Sequence, residues 1–188
     1  MNKKFALSLF AAAFVAMLVF ALVQPAGSVS ADALTRWGNG NSRGSAAQSR
    51  TSLGYNLVPL TDVEAEALQS AILEEYGAYN LYQAVLVQYP DATTFATIAV
   101  AEQRHANILI RQAEKYGVEV PENPGLAAPV VFATLEDACQ AAIAAEIADA
   151  ALYDELMAVT THTDLLRVYA NLQRASLESH LPAYESCY

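Results

Sequence analysis

The sequence predicts an all-α fold, a bundle of four helices arranged as two antiparallel hairpins joined by a long crossover. Its 188 residues suffice for one ordinary domain. From about residue 57 the chain is rich in Ala, Leu, Glu and Tyr, and its apolar residues repeat at the helical period. Capping residues, Pro and Gly mark the ends of these periodic segments, and none of the segments alternates as a strand does. Bundles of this kind often hold metal sites.

Residues 1–31 have the features of a signal peptide. Lys3 and Lys4 precede an apolar run from Phe5 to Val23, and Val29-Ser30-Ala31 fits the small-residue rule for cleavage. The run is also just long enough to span a bilayer, so an uncleaved N-terminal anchor is the alternative. Under either interpretation we expect the folded part to be extracytoplasmic, secreted or held at the cell envelope.

The next segment, residues 32–56, is rich in Gly, Ser, Asn and Arg and lacks an apolar period. This composition predicts a flexible tether ahead of a folded domain at 57–188. Without the leader, 8 basic residues face 20 acidic ones, a net charge of −12. So acidic a chain is a poor partner for nucleic acid or anionic lipid, because both bind clustered Lys and Arg. We expect metal ions as partners, no membrane contact beyond the leader, and a monomer or homodimer.

The first hairpin begins with a helix predicted from Thr61 to Tyr89. Thr61 is a good N-cap, Glu64 completes a capping box three residues later, and Pro90 stops the helix. A second helix is predicted from Thr94 to Tyr116, and Gly117 after it is a C-terminal cap. The short connection between the two helices predicts an antiparallel pair.

The second hairpin follows a crossover at residues 118–133, which hold three prolines and a glycine and are too long for a hairpin turn. The third helix is predicted from Thr134, its N-cap, to Val159. A short turn through His162 leads to a fourth helix from Thr163 to Tyr184. Pro182 lies inside this last helix and predicts a frayed or kinked final turn.

The two cysteines lie almost equally far from the turn at His162, Cys139 before it and Cys187 after it. Equal distances from a turn bring residues side by side in antiparallel helices, and exported proteins with an even number of cysteines often form disulfides. We therefore predict a Cys139–Cys187 disulfide that joins the start of the third helix to the end of the chain. Two free thiols are the alternative.

Ionisable residues interrupt the apolar face of every predicted helix. A lone buried carboxylate is costly, and several that converge in one small core repel one another, so a bound cation is the simple remedy. Glu-x-x-His on the second helix is the strongest pair, because positions i and i+3 share a face. Salt-bridged edge acids and satisfied core histidines are the alternatives. The interrupting residues are Glu75, Glu102, His105, Glu146 and His180.

The first and third helices repeat one spacing. Tyr82 follows Glu75 by seven residues, and Tyr153 follows Glu146 by seven, two turns along the same face. With a core-facing histidine on the second and on the fourth helix, this order indicates a duplicated helical hairpin.

The other acids are expected to lie outside this row. Glu74 is turned about 100° from Glu75, toward the edge of the bundle. The remaining acidic residues, Glu64 among them, are expected on solvated helix faces.

These motifs resemble the ferritin-like superfamily of carboxylate-bridged di-iron proteins and, more narrowly, the DUF2202 family of ferritin-like domains. The resemblance covers about residues 60–187, nearly the whole folded part, and a tether after a leader also suits that family. Each motif alone is common, and their combination is what is specific. The stretches that carry the resemblance are Glu74-Glu75 through Tyr82, Ala101 to His105, Lys115 to Val118 followed by Pro121, Leu152 to Asp154, Ala175-Ser176, and His180 to Tyr184.

The resemblance implies a ferritin-like four-helix bundle that holds one or two metals. Carried over by position, Glu75 is a terminal carboxylate, Glu102 a bridging carboxylate and His105 a terminal imidazole. Glu146 repeats the role of Glu75, and His180 repeats that of His105.

The fourth helix departs from the family pattern. Three residues before His180 the pattern has Glu, and this chain has Leu177, while Ser176 lies on the right face but is a poor ligand. Five good ligands remain where a symmetrical two-metal centre uses six. Residues that can compensate in part, as outer ligands or by hydrogen bonds to the ligands, are Tyr82, Asp149, Tyr153 and Ser176.

The function that the resemblance implies is that of an exported metal-binding protein, with iron as the expected metal. Mn and Zn are alternatives, since carboxylates and imidazole suit all three. Oxidase, peroxidase or ferroxidase activity would make the protein a non-haem iron oxidoreductase, whereas simple sequestration would not make it an enzyme. The other alternative is a non-catalytic envelope or surface module with a degenerate site, which Leu177 favours. The sequence contains no Gly-rich phosphate loop, Ser elbow, Cys-x-x-Cys or His-Glu-x-x-His motif.

Overall fold

The computed structural model describes residues 57–187, and within this range the chain forms four helices and no strand, which confirms the all-α prediction. No helix in this range is long and apolar enough to cross a bilayer. The predicted leader, the predicted tether and Tyr188 lie outside the described residues. The helices are α1 (Asp62–Gln88), α2 (Thr93–Tyr116), α3 (Leu135–Val159), and a fourth that joins α4 (Thr163–Ala175), a π-helical turn (Ser176–His180) and α5 (Leu181–Glu185).

The predicted caps form at the ends of the helices. Thr61 accepts a hydrogen bond from the backbone N–H of Glu64 at 3.2 Å, and the Glu64 carboxylate accepts one from the backbone N–H of Thr61 at 3.0 Å. Thr134 and Asp137 form the same reciprocal capping box at the start of α3. Gly117 ends α2 with a φ of 69°, a left-handed conformation that glycine adopts without steric strain.

The crossover runs along α1 from one end of the bundle to the other. Near the start of α1, Gln69 donates a hydrogen bond to the carbonyl oxygen of Glu119 at 2.9 Å. Near its end, Gln88 donates to the carbonyl oxygen of Val130 and accepts from the N–H of Phe132, both at 2.8 Å. The third helix therefore begins beside the end of α1. Both hairpins form, and α1 also packs against α3.

A polar layer divides the core of the bundle into two apolar halves. Each helix contributes apolar residues to both halves and ionisable or hydroxyl residues to the layer between them. One half includes Leu81, Tyr82, Val85, Phe95, Ile98, Cys139 and Tyr184, and the other includes Leu68, Ile72, Leu109, Tyr153, Leu156, Leu165 and Tyr169. The buried residues of the layer include Glu75, Glu102, Glu146, Ser176 and His180.

The predicted disulfide joins Cys139 to Cys187, with their Cα atoms 6.4 Å apart and a sequence separation of 48. Among the residues that the structure describes there is no free cysteine. The disulfide attaches the end of the chain, just after α5, to the N-terminal part of α3. It therefore fixes the segment that carries His180.

Glu64 was expected on a solvated face, and this expectation is wrong. Its side chain is 1% exposed, and its hydrogen bonds connect the start of α1 with the turn between α3 and α4. Besides its part in the capping box, its carboxylate accepts hydrogen bonds from the backbone N–H and hydroxyl of Thr161 at 2.7 and 2.8 Å, and lies 2.8 Å from Nδ1 of His162. Sequence periodicity does not reveal this role, because the partners lie almost a hundred residues further along the chain.

Replacement of Glu64 by alanine is expected to lower the free energy of unfolding by about 2–3 kcal/mol. The change removes a helix cap and leaves buried donors of the turn without an acceptor. Urea unfolding monitored by circular dichroism measures the loss. Glu66→Ala is the matched control, since Glu66 is exposed on the same helix and should change stability by no more than about 0.5 kcal/mol. Equal losses in the two variants would contradict the role given to Glu64.

Candidate metal centre

Glu102 of α2 lies between two histidines, and each of its carboxylate oxygens faces a different ring. Oε2 lies 2.8 Å from Nδ1 of His105, and Oε1 lies 2.9 Å from Nδ1 of His180 in the π-helical turn. The two imidazole rings stack with their centroids 5.4 Å apart. One ligand atom from each of the three residues lies within 4.8 Å of the other two, close enough for them to share one metal ion.

Two further carboxylates flank this group. Oε2 of Glu75 lies 3.4 Å from Nδ1 of His105, and Oε2 of Glu146 lies 3.3 Å from Nδ1 of His180. The structure thus brings all five sequence-predicted ligands together in one row, in the order Glu75, His105, Glu102, His180 and Glu146.

Two tyrosines hold the flanking carboxylates by hydrogen bonds that cross between the hairpins. The hydroxyl of Tyr82 on α1 donates to Oε1 of Glu146 on α3 at 2.6 Å, and that of Tyr153 on α3 donates to Oε1 of Glu75 on α1 at 2.5 Å. Each glutamate therefore uses one oxygen for a tyrosine and turns the other toward a histidine. The repeated spacing seen in the sequence corresponds to this reciprocal arrangement, in which each tyrosine orients the acid of the other hairpin.

The proton affinities of the row follow from its burial and its contacts. Burial lowers the pKa of each histidine, but hydrogen bonds to the carboxylates outweigh it and raise the pKa of His105 and of His180 to about 10. Burial raises the pKa of Glu102, but hydrogen bonds from both histidines outweigh it and lower that pKa to about 2. Burial dominates at Glu75 and raises its pKa to about 8. The carboxylates of the row thus favour positive charge on His105 and His180.

Glu74 was expected at the edge of the bundle, and the structure shows that this is wrong. Its side chain is only 6% exposed. Burial, and then the charges of Asp149, Glu146 and Glu102, raise its pKa to about 8. A signal was present in the sequence, because the residues one turn away on the same face are the small apolar Ala71 and Ala78.

The register of the fourth helix also differs from the expected one. Leu177 was placed at the position of a missing ligand, but it is 44% exposed and points away from the centre. The π-helical turn is wider than an α-helical turn, so Ser176, four residues before His180, is the buried residue that faces the centre. Pro182 explains the widening, because it lacks an N–H and its ring would clash with the carbonyl of Glu178 in a regular α-helix.

Asp149 and Ser176 meet where the fourth helix lacks a carboxylate. The hydroxyl of Ser176 donates to Oδ2 of Asp149 at 2.5 Å, while Oδ1 of Asp149 is buried and has no hydrogen-bond partner among residues 57–187. Burial, and then the charge of Glu75, raise the pKa of Asp149 well above its usual value. This carboxylate belongs to α3 and follows Glu146 by three residues, so the two acids share one face of the helix.

Comparison with known proteins supports the fold and gives no function. No family model matches the chain, and no curated protein matches it. Among solved structures, the chain is similar to the hypothetical protein MJ0754 of Methanococcus jannaschii, with 23% sequence identity and a TM-score of 0.61. The alignment covers 70% of this chain and 82% of that one. At this identity the likeness concerns the helical fold alone.

Proposed function

We propose that this protein binds a divalent metal ion through Glu102, His105 and His180, with Glu75 and Glu146 completing the ligand set. The observation that carries the proposal is the position of Glu102, whose two oxygens face two different imidazole nitrogens in the buried middle of the bundle. Buried carboxylates without a cation repel one another, and a metal ion offsets that repulsion. The donor set fits such an ion, since carboxylate and imidazole are ordinary ligands of first-row metals.

We propose iron as the metal, in a ferritin-like protein of the DUF2202 type. The sequence motifs named above support this assignment. Mn and Zn accept the same donors and remain the alternatives. The predicted leader supports export, and N-terminal sequencing of protein from the culture medium or envelope tests it, with Asp32 as the expected first residue.

The first experiment measures bound metal by elemental analysis after anaerobic loading with Fe(II) and gel filtration. We expect at least one iron per chain in the wild type. Loss of a group that merely hydrogen-bonds to a ligand lowers metal affinity by about 10- to 100-fold, so Glu102→Ala should lower it by at least about 100-fold. Glu114→Ala, an exposed change on the same helix, is the control. A folded wild type without metal would refute the proposal and leave a structural bundle.

Turnover separates an oxidoreductase from a metal store. An enzyme consumes peroxide or oxygen in large excess over protein, whereas a storage or sequestration protein reacts once per bound iron. We propose oxidoreductase activity on the strength of the family resemblance. With an excess of a reducing substrate such as ascorbate supplied as electron donor, wild-type consumption of peroxide limited to about half an equivalent per iron, the amount that oxidation of Fe(II) itself uses, would refute it and leave metal binding as the function.

A further inference from the structure

His162, in the turn between α3 and α4, lies between two oxygen atoms from other parts of the chain. Its Nδ1 lies 2.8 Å from Oε1 of Glu64 on α1, and its Nε2 lies 3.1 Å from the carbonyl oxygen of Val58. The ring of Tyr116 on α2 packs against it edge-on, with the centroids 5.3 Å apart. His162 thus joins three distant parts of the chain, and none of these contacts involves a proposed metal ligand.

Both oxygens that face the His162 ring are hydrogen-bond acceptors. Glu64 is held in its ionised form, because Oε1 also accepts hydrogen bonds from the N–H and hydroxyl of Thr161 and Oε2 accepts one from the N–H of Thr61. A carbonyl oxygen can only accept. A neutral imidazole carries one N–H and can donate to one of the two oxygens, whereas the imidazolium ion donates to both. The arrangement therefore fits the doubly protonated ring.

The segment 57–60 depends on this contact. Within residues 57–187, the hydrogen bond from His162 to the Val58 carbonyl is the only one that the segment forms. The side chains of Leu57 and Val58 are exposed, while Leu60 packs against the edge of the apolar core. Pro59 has no N–H that could replace the bond. Loss of the bond from His162 would leave Leu57 and Val58 with no hydrogen bond to the bundle.

We propose that His162 is a pH-dependent latch, which holds Val58 against the bundle while the ring carries two protons and releases it when the ring loses one. The carboxylate of Glu64 is the stronger acceptor, so the remaining proton stays on Nδ1. Nε2 then turns a lone pair toward the lone pairs of the Val58 carbonyl, and the two atoms repel each other. The latch acts at the junction between the folded domain and residues 32–56, the predicted tether, and it does not depend on the proposed metal site.

The charged groups beside the latch come from α2 and α4. Asp164 lies two residues after His162, and its carboxylate binds Nζ of Lys115 at 2.6 Å and the hydroxyl of Tyr116 at 2.8 Å. Burial raises the pKa of Asp164, but these two bonds outweigh it and hold that pKa below 3.8. The bond to Asp164 raises the pKa of Lys115 above 10.5, and burial raises the pKa of Tyr116 above 10. None of the three therefore changes its charge between pH 5.5 and 9.

His162 itself changes its charge on the alkaline side of its ordinary pKa. Its hydrogen bond with Glu64 outweighs burial and raises the pKa of His162 above 6.5. Burial raises the pKa of Glu64, but its hydrogen bonds, first that with His162, hold that pKa far below 4.5. Tyr169 faces Glu64 from α4, and burial raises its pKa well above 10. The contribution of the latch to stability is therefore complete below pH 6.5 and is lost as the pH rises through the raised pKa of His162.

The experiment follows the full-length metal-free protein by NMR as the pH rises from 5.5 to 9. The ¹⁵N shifts of the His162 ring report its protonation, and ¹⁵N relaxation reports the motion of the Val58 amide. We expect the order parameter of Val58 to fall from about 0.85 to below about 0.6, with a midpoint at the measured pKa of His162 and above pH 6.5. A merely structural contact would give no such midpoint.

Three variants test the assignment. His162→Asn has a side chain too short to reach Val58 and cannot titrate, so it should show the low order parameter at every pH. Because asparagine is a good N-cap for α4, this variant should fold, and circular dichroism checks it. Glu64→Gln removes the charge that holds the second proton and should move the midpoint to lower pH. Glu66→Gln, an exposed change on the same helix, should leave the midpoint where it is.

Three results would overturn the latch. The first is a Val58 amide that is equally ordered at pH 5.5 and pH 9. The second is a loss of order with rising pH that persists in His162→Asn, since this variant keeps His105 and His180 and the cause would then be another group. The third is a measured pKa of His162 at or below 6.5. Each of these results would leave the proposed metal site untouched.

Discussion

Replacement of both Cys139 and Cys187 by serine is expected to lower the free energy of unfolding by about 4 kcal/mol. The disulfide closes a loop of 48 residues, and a cross-link of that length removes about this much conformational freedom from the unfolded chain. Chemical unfolding in urea, with and without a reducing agent, measures the effect. Reduced wild type should match the double serine variant.

The same change is expected to weaken metal binding by about tenfold or more. His180 lies in a short π-helical turn, and the chain beyond it is fixed by burial of Tyr184 and by the disulfide. Without the disulfide, the segment around His180 gains conformational freedom, which it must lose again when the metal binds. A tenfold loss of metal affinity corresponds to about 1.4 kcal/mol. Unchanged stability in the double variant would show that packing alone holds this segment.

Metal loading is expected to stabilise the folded protein by about 4 kcal/mol at a free metal concentration a thousand times the dissociation constant. The effect is large because the ion binds the folded chain and offsets the repulsion among its buried carboxylates. Urea unfolding with Mn²⁺, and with a chelator, gives the difference. In Glu102→Ala the two curves should nearly coincide, whereas Glu114→Ala should behave as wild type. Coincident wild-type curves would contradict metal binding by the native state.

The stabilisation of the folded protein by bound metal should grow as the pH rises from 5 to 8. The pKa values of Glu74 and Glu75 are raised from 4.5 to about 8 by folding, so their contribution is fully present below 4.5 and is lost as the pH rises through 8. The pKa values of His105 and His180 are raised from 6.5 to about 10. Their contribution to the stability of the folded state is therefore fully present below pH 6.5 and is lost as the pH rises through 10.

The lowered pKa of Glu102 acts in the opposite direction. Its contribution is present above 4.5 and is lost only as the pH falls toward 2. The metal-free protein should therefore be most stable near pH 5. A metal ion must displace the bound protons, so metal binding strengthens toward pH 8 and compensates for the loss. Unfolding midpoints at three pH values, with and without Mn²⁺, test both trends.

Local signals in the sequence were sufficient to predict the helices and their order. Thr61 with Glu64, and Thr134 with Asp137, are caps that act within one turn, and Gly117 needs only its own backbone conformation. These features depend on neighbours in the sequence, and the first three helices begin and end within one residue of the predicted positions. The Cys139–Cys187 pairing was predictable because a short turn makes the register of a hairpin a matter of counting.

The candidate centre was predictable only where a helix kept its ideal period. The five predicted ligands could be identified because an acid or a histidine stands out on the apolar face of a helix. They are Glu75, Glu102, His105, Glu146 and His180. Glu74 was missed because α1 buries more than one row of its side chains. The helices α2 and α3 and the crossover all pack against α1. Ser176 was undervalued and Leu177 overvalued because a π-helical turn shifts every side chain within it. Only Pro182 hinted at that shift.

The crossed hydrogen bonds of Tyr82 and Tyr153 have a consequence for the order of folding events. Each hairpin holds its own helices together by contacts near in sequence, and such contacts form early. Neither hairpin alone can orient its glutamate, because the required hydroxyl belongs to the other. The complete centre therefore forms last, after the hairpins dock. A metal that recognises it should act on the lifetime of the native state, slowing unfolding while leaving the rate of folding nearly unchanged.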